Sequence, residues 1–525
     1  MLNQDSQIGR LAIGTANEKG WRPINVEVGE ALAGDLPALD SKSILSLIHI
    51  SDLHICDAQS PARVEILDRF ADPHNPYSQY VKYVGTYRAQ EILTTQTLEA
   101  MVQTINTIKT GIVTDRPIDA VVITGDVTDN AQNNELSWYL AIMDGGQVHP
   151  DSGDLKAWEG AASIDPSNYD PSYWNPEGTP VGCIEDYPRA LYGLPVVPGL
   201  LSAVRKPFKA TGLVHQWFAT HGNHDALLQG TVAADEYINN FAVGDRRVTA
   251  LDPDLDLVEM FGKFQMVGPT SYPDSSGSTF RYITADQSRR INQAADWAKI
   301  HLECGHGHGL QTENALAGTK YWSRDIGDVR LISMDTVNEH GGWQGSLGLT
   351  QFNWLKHELS DPTPKYFLLL SHHPAETLFN LYSPEGAETR IGEAELNDLL
   401  LNEPRVILWL AGHNHEHHVD FIGAEGKRGF WHIQTASNID WPQQGRIIEI
   451  LESDSKIVIA TSVFDHQSPV ELEVAVSDLN NPVNLAGLSR LLSANDWQRR
   501  SGDFDVELMA GQPGDRNRYL WLERE

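Results

Sequence analysis

Residues 43–57 read SILSLIHISDLHICD, an apolar run that breaks at Ser51 and delivers Asp52 and His54. From Ile44 to Ile50 the side chains are mostly branched and aliphatic without clean alternation, the pattern of a strand covered on both faces, as in parallel sheets. Asp52 and His54 stand two apart just beyond it, so both can face one side of an extended backbone. The same arrangement recurs in AVVIT before Gly125, WFAT before His221, VRLISM before Asp335, YFLLL before Ser371 and VILWLA before Gly412. Ligands of open α/β sheets gather beyond the carboxyl ends of strands, so these tips are expected to converge on one crevice.

Working outward, Ile92, Leu98, Met101, Val102, Ile105 and Ile108 fall near helical spacing and predict an amphipathic helix over about residues 88–109. Strand, helix and strand make a crossover unit. A second is expected where TQFNWLKHEL lies between the Asp335 and Leu368 strands. Residues 144–214 and 230–320 are mostly irregular, the first rich in Pro, Gly, Asp and Trp, and read as insertions that wall a substrate cleft. After His418, GFWHIQTAS, RIIEILES and KIVIATSVF alternate apolar and polar residues, which predicts antiparallel strands finishing a second sheet. The tail, with LAGLSRLLSAND, predicts one more helix.

A chain of 525 residues exceeds the usual single core, so two domains or one large α/β domain with long insertions are expected. Seventy-one acidic against thirty-nine basic side chains give a net charge of -32, which repels an extended nucleic acid. A small phosphate ester is still admissible, because salt screens distant charge beyond roughly 8 Å and bound divalent cations would dominate the local field. Cys56, Cys183 and Cys304 define no disulfide framework and read as buried thiols. The first thirty residues show no basic start followed by an apolar core, and no run of eighteen apolar residues occurs. Cytoplasm is the default location on that reading, and export of a longer form is compatible with it.

In order, the strand tips read Asp52-Leu53-His54, Gly125-Asp126, Gly222-Asn223-His224-Asp225, His372 and Gly412-His413-Asn414-His415. Carboxylate and amide oxygens mixed with imidazoles suit first-row divalent ions such as Mn, Fe, Co or Zn better than Ca or Mg. The glycines fit tight turns that leave the next side chain facing the site. GD after a strand is a common turn, and a lone histidine more often belongs to a core. The order of all five blocks carries the reading.

That ordered set resembles the calcineurin-like metallophosphoesterase superfamily, whose pattern is D-x-H, G-D, G-N-H-D/E, H and G-H-x-H. The motif-bearing stretch covers about residues 45–420, and GSLGLTQFNWLKHEL is also similar to a segment of that superfamily. The resemblance implies a four-layer α/β fold of two facing mixed sheets flanked by helices, over residues 44–475, with extensions at 1–43 and 476–525. It implies that Asp52, His54 and His415 hold one metal, that Asn223, His372 and His413 hold another, and that Asp126 bridges them. His224 would assist the leaving group, with Asp225 orienting it, while a metal-bridging hydroxide attacks a phosphomonoester or phosphodiester.

Purple acid phosphatases, a branch of that superfamily, carry a tyrosine near the place of Asp129 and lack a histidine at the place of His54, so a tyrosinate-ligated ferric site is not implied. GDVTDN resembles the branch of cyclic-nucleotide phosphodiesterases and broad-specificity phosphatases. The rival readings are a nuclease of the same superfamily, which the acidic charge disfavours, and a metal-bound scaffold without turnover, which the complete ligand set disfavours. His373, His417 and His418 read as flanking residues, and Cys304, His306 and His308 in ECGHGHG as a glycine-rich surface loop. Trp343, Trp354 and Trp441 can line a cleft or fill the core, and core is the reading adopted.

Overall fold

The apolar runs fold as strands because their side chains can be buried on both faces at once. A computed structural model describes residues 10–34, 41–272, 276–424, 426, 428–500 and 505–524. Its principal strands, in chain order, are β1 (Lys42–Ile50), β2 (Ala120–Ile123), β3 (Trp217–Ala219), β4 (Trp322–Ile326), β5 (Val329–Ser333), β6 (Tyr366–Leu370), β7 (Val406–Ala411), β8 (His418–Ile422), β9 (Phe430–Gln434), β10 (Gln444–Glu452), β11 (Lys456–Asp465) and β12 (Arg518–Glu523). They form two six-stranded mixed sheets, ordered β12-β11-β10-β1-β2-β3 and β4-β5-β6-β7-β9-β8. This is the α/β architecture expected of a metallophosphoesterase.

Within the first sheet β1, β2 and β3 run parallel, with Ile50 opposite Ile123 and Ile123 opposite Ala219. Within the second, β5, β6 and β7 run parallel, so Ser333, Leu370 and Leu410 stand level. Leu47, Val121 and Ile448 of one sheet share a core with Leu331, Leu368 and Leu408 of the other. Each such fully buried aliphatic side chain contributes about 1.5–3 kcal/mol. The sheets are also joined at their carboxyl ends. Thr220 Oγ1 meets Ser333 Oγ at 2.9 Å, and His372 Nδ1 donates to the Thr124 carbonyl at 2.8 Å. Those bonds bring the two sets of strand tips against one another.

The expected helix between β1 and β2 is α1 (Thr94–Thr107), entered through a short 3-10 turn at Glu91–Leu93. Four further helices matter below: α2 (Asn133–Asp144), α3 (Ala294–Glu303), α4 (Leu349–Ser360) and α5 (Pro482–Ser493). The α4 helix is the second predicted crossover. The three segments after His418 do not finish one sheet. Phe430–Gln434 lies parallel to β7 in the second sheet, whereas Gln444–Glu452 and Lys456–Asp465 lie antiparallel beside β1 in the first. Alternation reports a half-covered strand but not its neighbour, which is why the sequence did not separate them. The tail supplies α5, whose Leu485, Leu488 and Leu492 pack with Leu93, Trp174 and Trp441, and then β12 on the edge of the first sheet.

Candidate metal centre

Asp52 and His54 leave β1, Asp126 leaves β2, Asn223 and His224 follow β3, His372 follows β6, and His413 and His415 follow β7. The structure brings these tips together. Ligand atoms of Asp52, His54 and His415 lie within 4.8 Å of one another, as do those of Asp52, Asp126 and His372. Asp126 stands between the expected sets: its Oδ2 is 3.1 Å from His372 Nε2 and 3.7 Å from His54 Nε2. On one flank His54 Nε2 lies 3.2 Å from His415 Nε2, and on the other His413 Nδ1 lies 3.2 Å from His372 Nε2. His224 belongs to a further group with His54 and Asp126, and its amide donates to Asp126 Oδ1 at 2.9 Å.

The turns that aim these side chains are strained. Asp52, His54, Asp126, His413 and His415 have φ of 52°, 44°, 50°, 74° and 60°. That left-handed region costs a non-glycine residue about 1–3 kcal/mol, and such strain persists where surrounding contacts impose it, commonly at ligand clamps and active sites. Here the contacts are visible: the His413 amide donates to both oxygens of Asp52 at 3.1 Å, and the His54 amide donates to the Asp126 carbonyl at 2.9 Å. Gly125 itself has φ of 90°, whereas Gly222, with φ of -115°, is required by crowding instead.

Several observations test whether the donor set fits cations. Asn223 Nδ2 donates to the Gly230 carbonyl at 3.0 Å, which fixes the amide, and its Oδ1 is then a buried acceptor with no donor. Leaving such a group unsatisfied costs about 1–3 kcal/mol, and a cation removes that cost. Asp52 and Asp126 are both fully buried, which opposes their charge, yet His415 and His372 hold Asp52 below the usual carboxylate range, and His372 and His224 hold Asp126 well below it. Two ionised, buried carboxylates among imidazoles are a donor set for divalent ions. The residues fit the group that the sequence implied.

Three supports escaped the sequence reading. Asp129 Oδ1 bonds His54 Nδ1 at 3.1 Å while its other oxygen meets Arg63. Asp440 Oδ2 bonds His415 Nδ1 at 2.7 Å, and the Thr124 carbonyl holds His372. Each occupies the ring nitrogen turned away from the centre and so fixes which nitrogen faces it. Asp225 does not touch the His224 ring. Its oxygens accept from Thr128 N and Gly222 N, both at 2.9 Å, so it shapes the turn, while the Asp129 carbonyl holds His224 Nδ1 at 2.7 Å. His373 spends both nitrogens on Thr336 Oγ1 and the Trp343 carbonyl. Trp343 is not core: it stacks on His413 and lines the cleft.

Residues 198–417 match the family model described as calcineurin-like phosphoesterase. The match begins at the approach to β3, and the fold joins the Asp52, His54 and Asp126 tips to it through the β1-β2-β3 sheet. Among solved structures, a dimetal phosphatase from Danio rerio aligns with 81% of this chain and 100% of its own, at 12% identity and a TM-score of 0.30. Among curated proteins none matches. Over the candidate metal centre lies a cleft of about 500 Å³. Asp126, Asn223, His224 and His413 line it, as do Val64, Leu67, Leu228 and Val232 of one apolar cluster together with Phe261 and Phe264 packed against that cluster. No helix among the described residues is long and apolar enough to cross a membrane.

Proposed function

We propose that this phosphoesterase hydrolyses small phosphomonoesters or phosphodiesters at a two-metal centre. Asp52, His54 and His415 would hold one divalent ion, Asn223, His372 and His413 the other, and Asp126 would serve both. The observation that carries the reading is the placement of Asp126 between the two histidine sets, with Asn223 Oδ1 left as an unanswered buried acceptor. Bound there, the ions would neutralise the non-bridging phosphoryl oxygens and acidify the attacking water.

The chain's own groups do the rest. Asp440, Asp129 and the Thr124 carbonyl keep the imidazoles in one orientation, so little reorganisation is needed at the moment of reaction. With His224 Nδ1 committed to the Asp129 carbonyl, its Nε2 faces the leaving group and can donate only from the charged ring. Burial, the largest effect, and the neighbouring His54 push this ring down to about 4 against Asp126 and Asp129, which favour the charge, so the donating form would depend on a bound phosphoryl anion beside it. The apolar lining favours an ester whose leaving group has an aryl or alkyl body. The natural metals on this reading are drawn from Mn, Fe, Zn and Co.

Hydrolysis of p-nitrophenyl phosphate and bis-p-nitrophenyl phosphate with Mn2+ tests the proposal. Turnover of at least one, abolished by chelation and restored by Mn2+, is expected, and the ratio of the two rates separates monoesterase from diesterase. Manganese-loaded protein that turns over neither would overturn it.

A further inference from the structure

Away from the phosphoesterase centre, near the other end of β3, a second set of metal-type donors converges from three parts of the chain. Asp144 is the last residue of α2, Cys304 caps the C-terminus of α3, and His308 lies in the glycine-rich loop that follows. Their ligand atoms lie within 4.8 Å of one another. Cys304 Sγ is 3.0 Å from His308 Nε2, and Asp144 Oδ2 is 3.6 Å from the same nitrogen. His308 is 3% exposed, so the loop that read as surface from its glycines in fact turns this imidazole inward.

Trp217, the first residue of β3, orients two of the three. Its carbonyl accepts from His308 Nδ1 at 3.3 Å, which places the lone pair on Nε2, and its indole nitrogen donates to Asp144 Oδ1 at 3.2 Å, which leaves Oδ2 turned to the cluster. A carbonyl on the far ring nitrogen is the support a metal-ligating imidazole ordinarily has.

Two hydrogen-bonded alternatives fit less well. In a cysteine–histidine–carboxylate triad the thiol and the carboxylate take opposite ring nitrogens. Here both approach Nε2, and a single nitrogen cannot donate to a carboxylate while accepting from a thiol. With the thiol proton on the His301 carbonyl at 2.8 Å, Sγ and Asp144 Oδ2 both face His308 Nε2, which either a proton on that nitrogen or a bound cation would answer. A carboxylate oxygen, a sulfur and an imidazole lone pair converging on one point share one need, a positive charge.

We propose that Asp144, Cys304 and His308 bind a zinc-class cation at a site separate from the phosphoesterase centre. Mixed sulfur, nitrogen and oxygen donors match that class. Three protein ligands, with Asp144 and Cys304 partly exposed, leave a fourth position for water. By tying the ends of α2 and α3 to Trp217, the ion would hold the 230–320 insertion against the strand that leads to Asn223. Its proposed role is to hold this packing, and phosphoesterase turnover does not depend on it.

Cobalt substitution of the full-length protein tests this. The phosphoesterase centre offers only nitrogen and oxygen donors, so a thiolate-to-cobalt charge-transfer absorption reports the second site alone. The wild-type protein loaded with Co2+ is expected to show that absorption. Cys304→Ser is expected to lose it, His308→Ala to lose most of it, and Cys56→Ser to keep it, and Cys304→Ser should retain phosphoesterase turnover. With Zn2+ in place of Co2+, modification of Cys304 by a thiol reagent should slow at least tenfold, a readout that needs no variant. Wild-type protein whose phosphoesterase centre is filled with cobalt but shows no thiolate absorption would overturn the proposal, as would persistence of the absorption in Cys304→Ser.

Discussion

Adding one methyl group at Gly222 should disable the centre while leaving every proposed ligand in the sequence. Gly222 has φ of -115° and ψ of 173°, a backbone that alanine adopts freely, so the effect is one of space. A Cβ there would stand 2.2 Å from Asp126 Oδ1 and 2.4 Å from the Asp126 backbone nitrogen. Ordinary contact begins at 3.4 Å, so the backbone atom would have to retreat by about 1 Å. It is not free to do so, because the neighbouring carbonyls of Gly125 and Asp126 accept from the Asp52 and His54 amides. The displacement is therefore passed to both flanks of the centre. Overpacking of this kind costs about 1–3 kcal/mol of stability, and a misplacement of 1 Å at a reacting centre costs about 10²-fold in rate. Manganese content by mass spectrometry, melting temperature and kcat on p-nitrophenyl phosphate give the three readouts. Gly262→Ala is the control, since a Cβ there meets nothing within 4 Å. A Gly222→Ala protein that holds its full manganese and turns over at the wild-type rate would refute the reasoning.

Asp126→Asn should reduce manganese at both positions, since Asp126 stands between the two histidine sets; retention of two equivalents would contradict that. His224→Ala should keep its manganese while kcat falls about 10²–10⁴-fold, most for esters with poor leaving groups, and loss of metal instead would make His224 a ligand. Asp440→Asn, which loosens His415 without removing it, should weaken manganese binding about 10–100-fold by titration. Chelation should lower the melting temperature, because a ligand present at 1,000 times its Kd stabilises by about 4.1 kcal/mol; an unchanged melting curve after complete removal would contradict a cation-filled centre.

The parts legible in the sequence were those written locally. Ile44 to Ile50 and Val406 to Ala411 announce buried strands by composition, and Asp52 with His54 or His413 with His415 announce a tip by spacing. What escaped is carried by contacts between distant segments. Asp440 reaches His415 across twenty-five residues, and Asp129 reaches His54 across seventy-five. Neither carboxylate has a spacing that distinguishes it from many others in so acidic a chain. Trp343 and His308 were misplaced for a related reason: whether an aromatic ring lines a cleft or fills a core, and whether a glycine-rich loop faces water, depends on what the fold lays against it. Asp225 shows the converse, a residue in the right block whose carboxylate serves the turn and not the ring.

Whether two cations share Asp126 can be seen by anomalous diffraction from crystals of the manganese-loaded protein. Two peaks about 3.5–4 Å apart are expected on either side of the Asp126 carboxylate, one against Asp52, His54 and His415 and the other against Asn223, His372 and His413. A single peak, or peaks that leave Asp126 without a metal, would contradict that sharing.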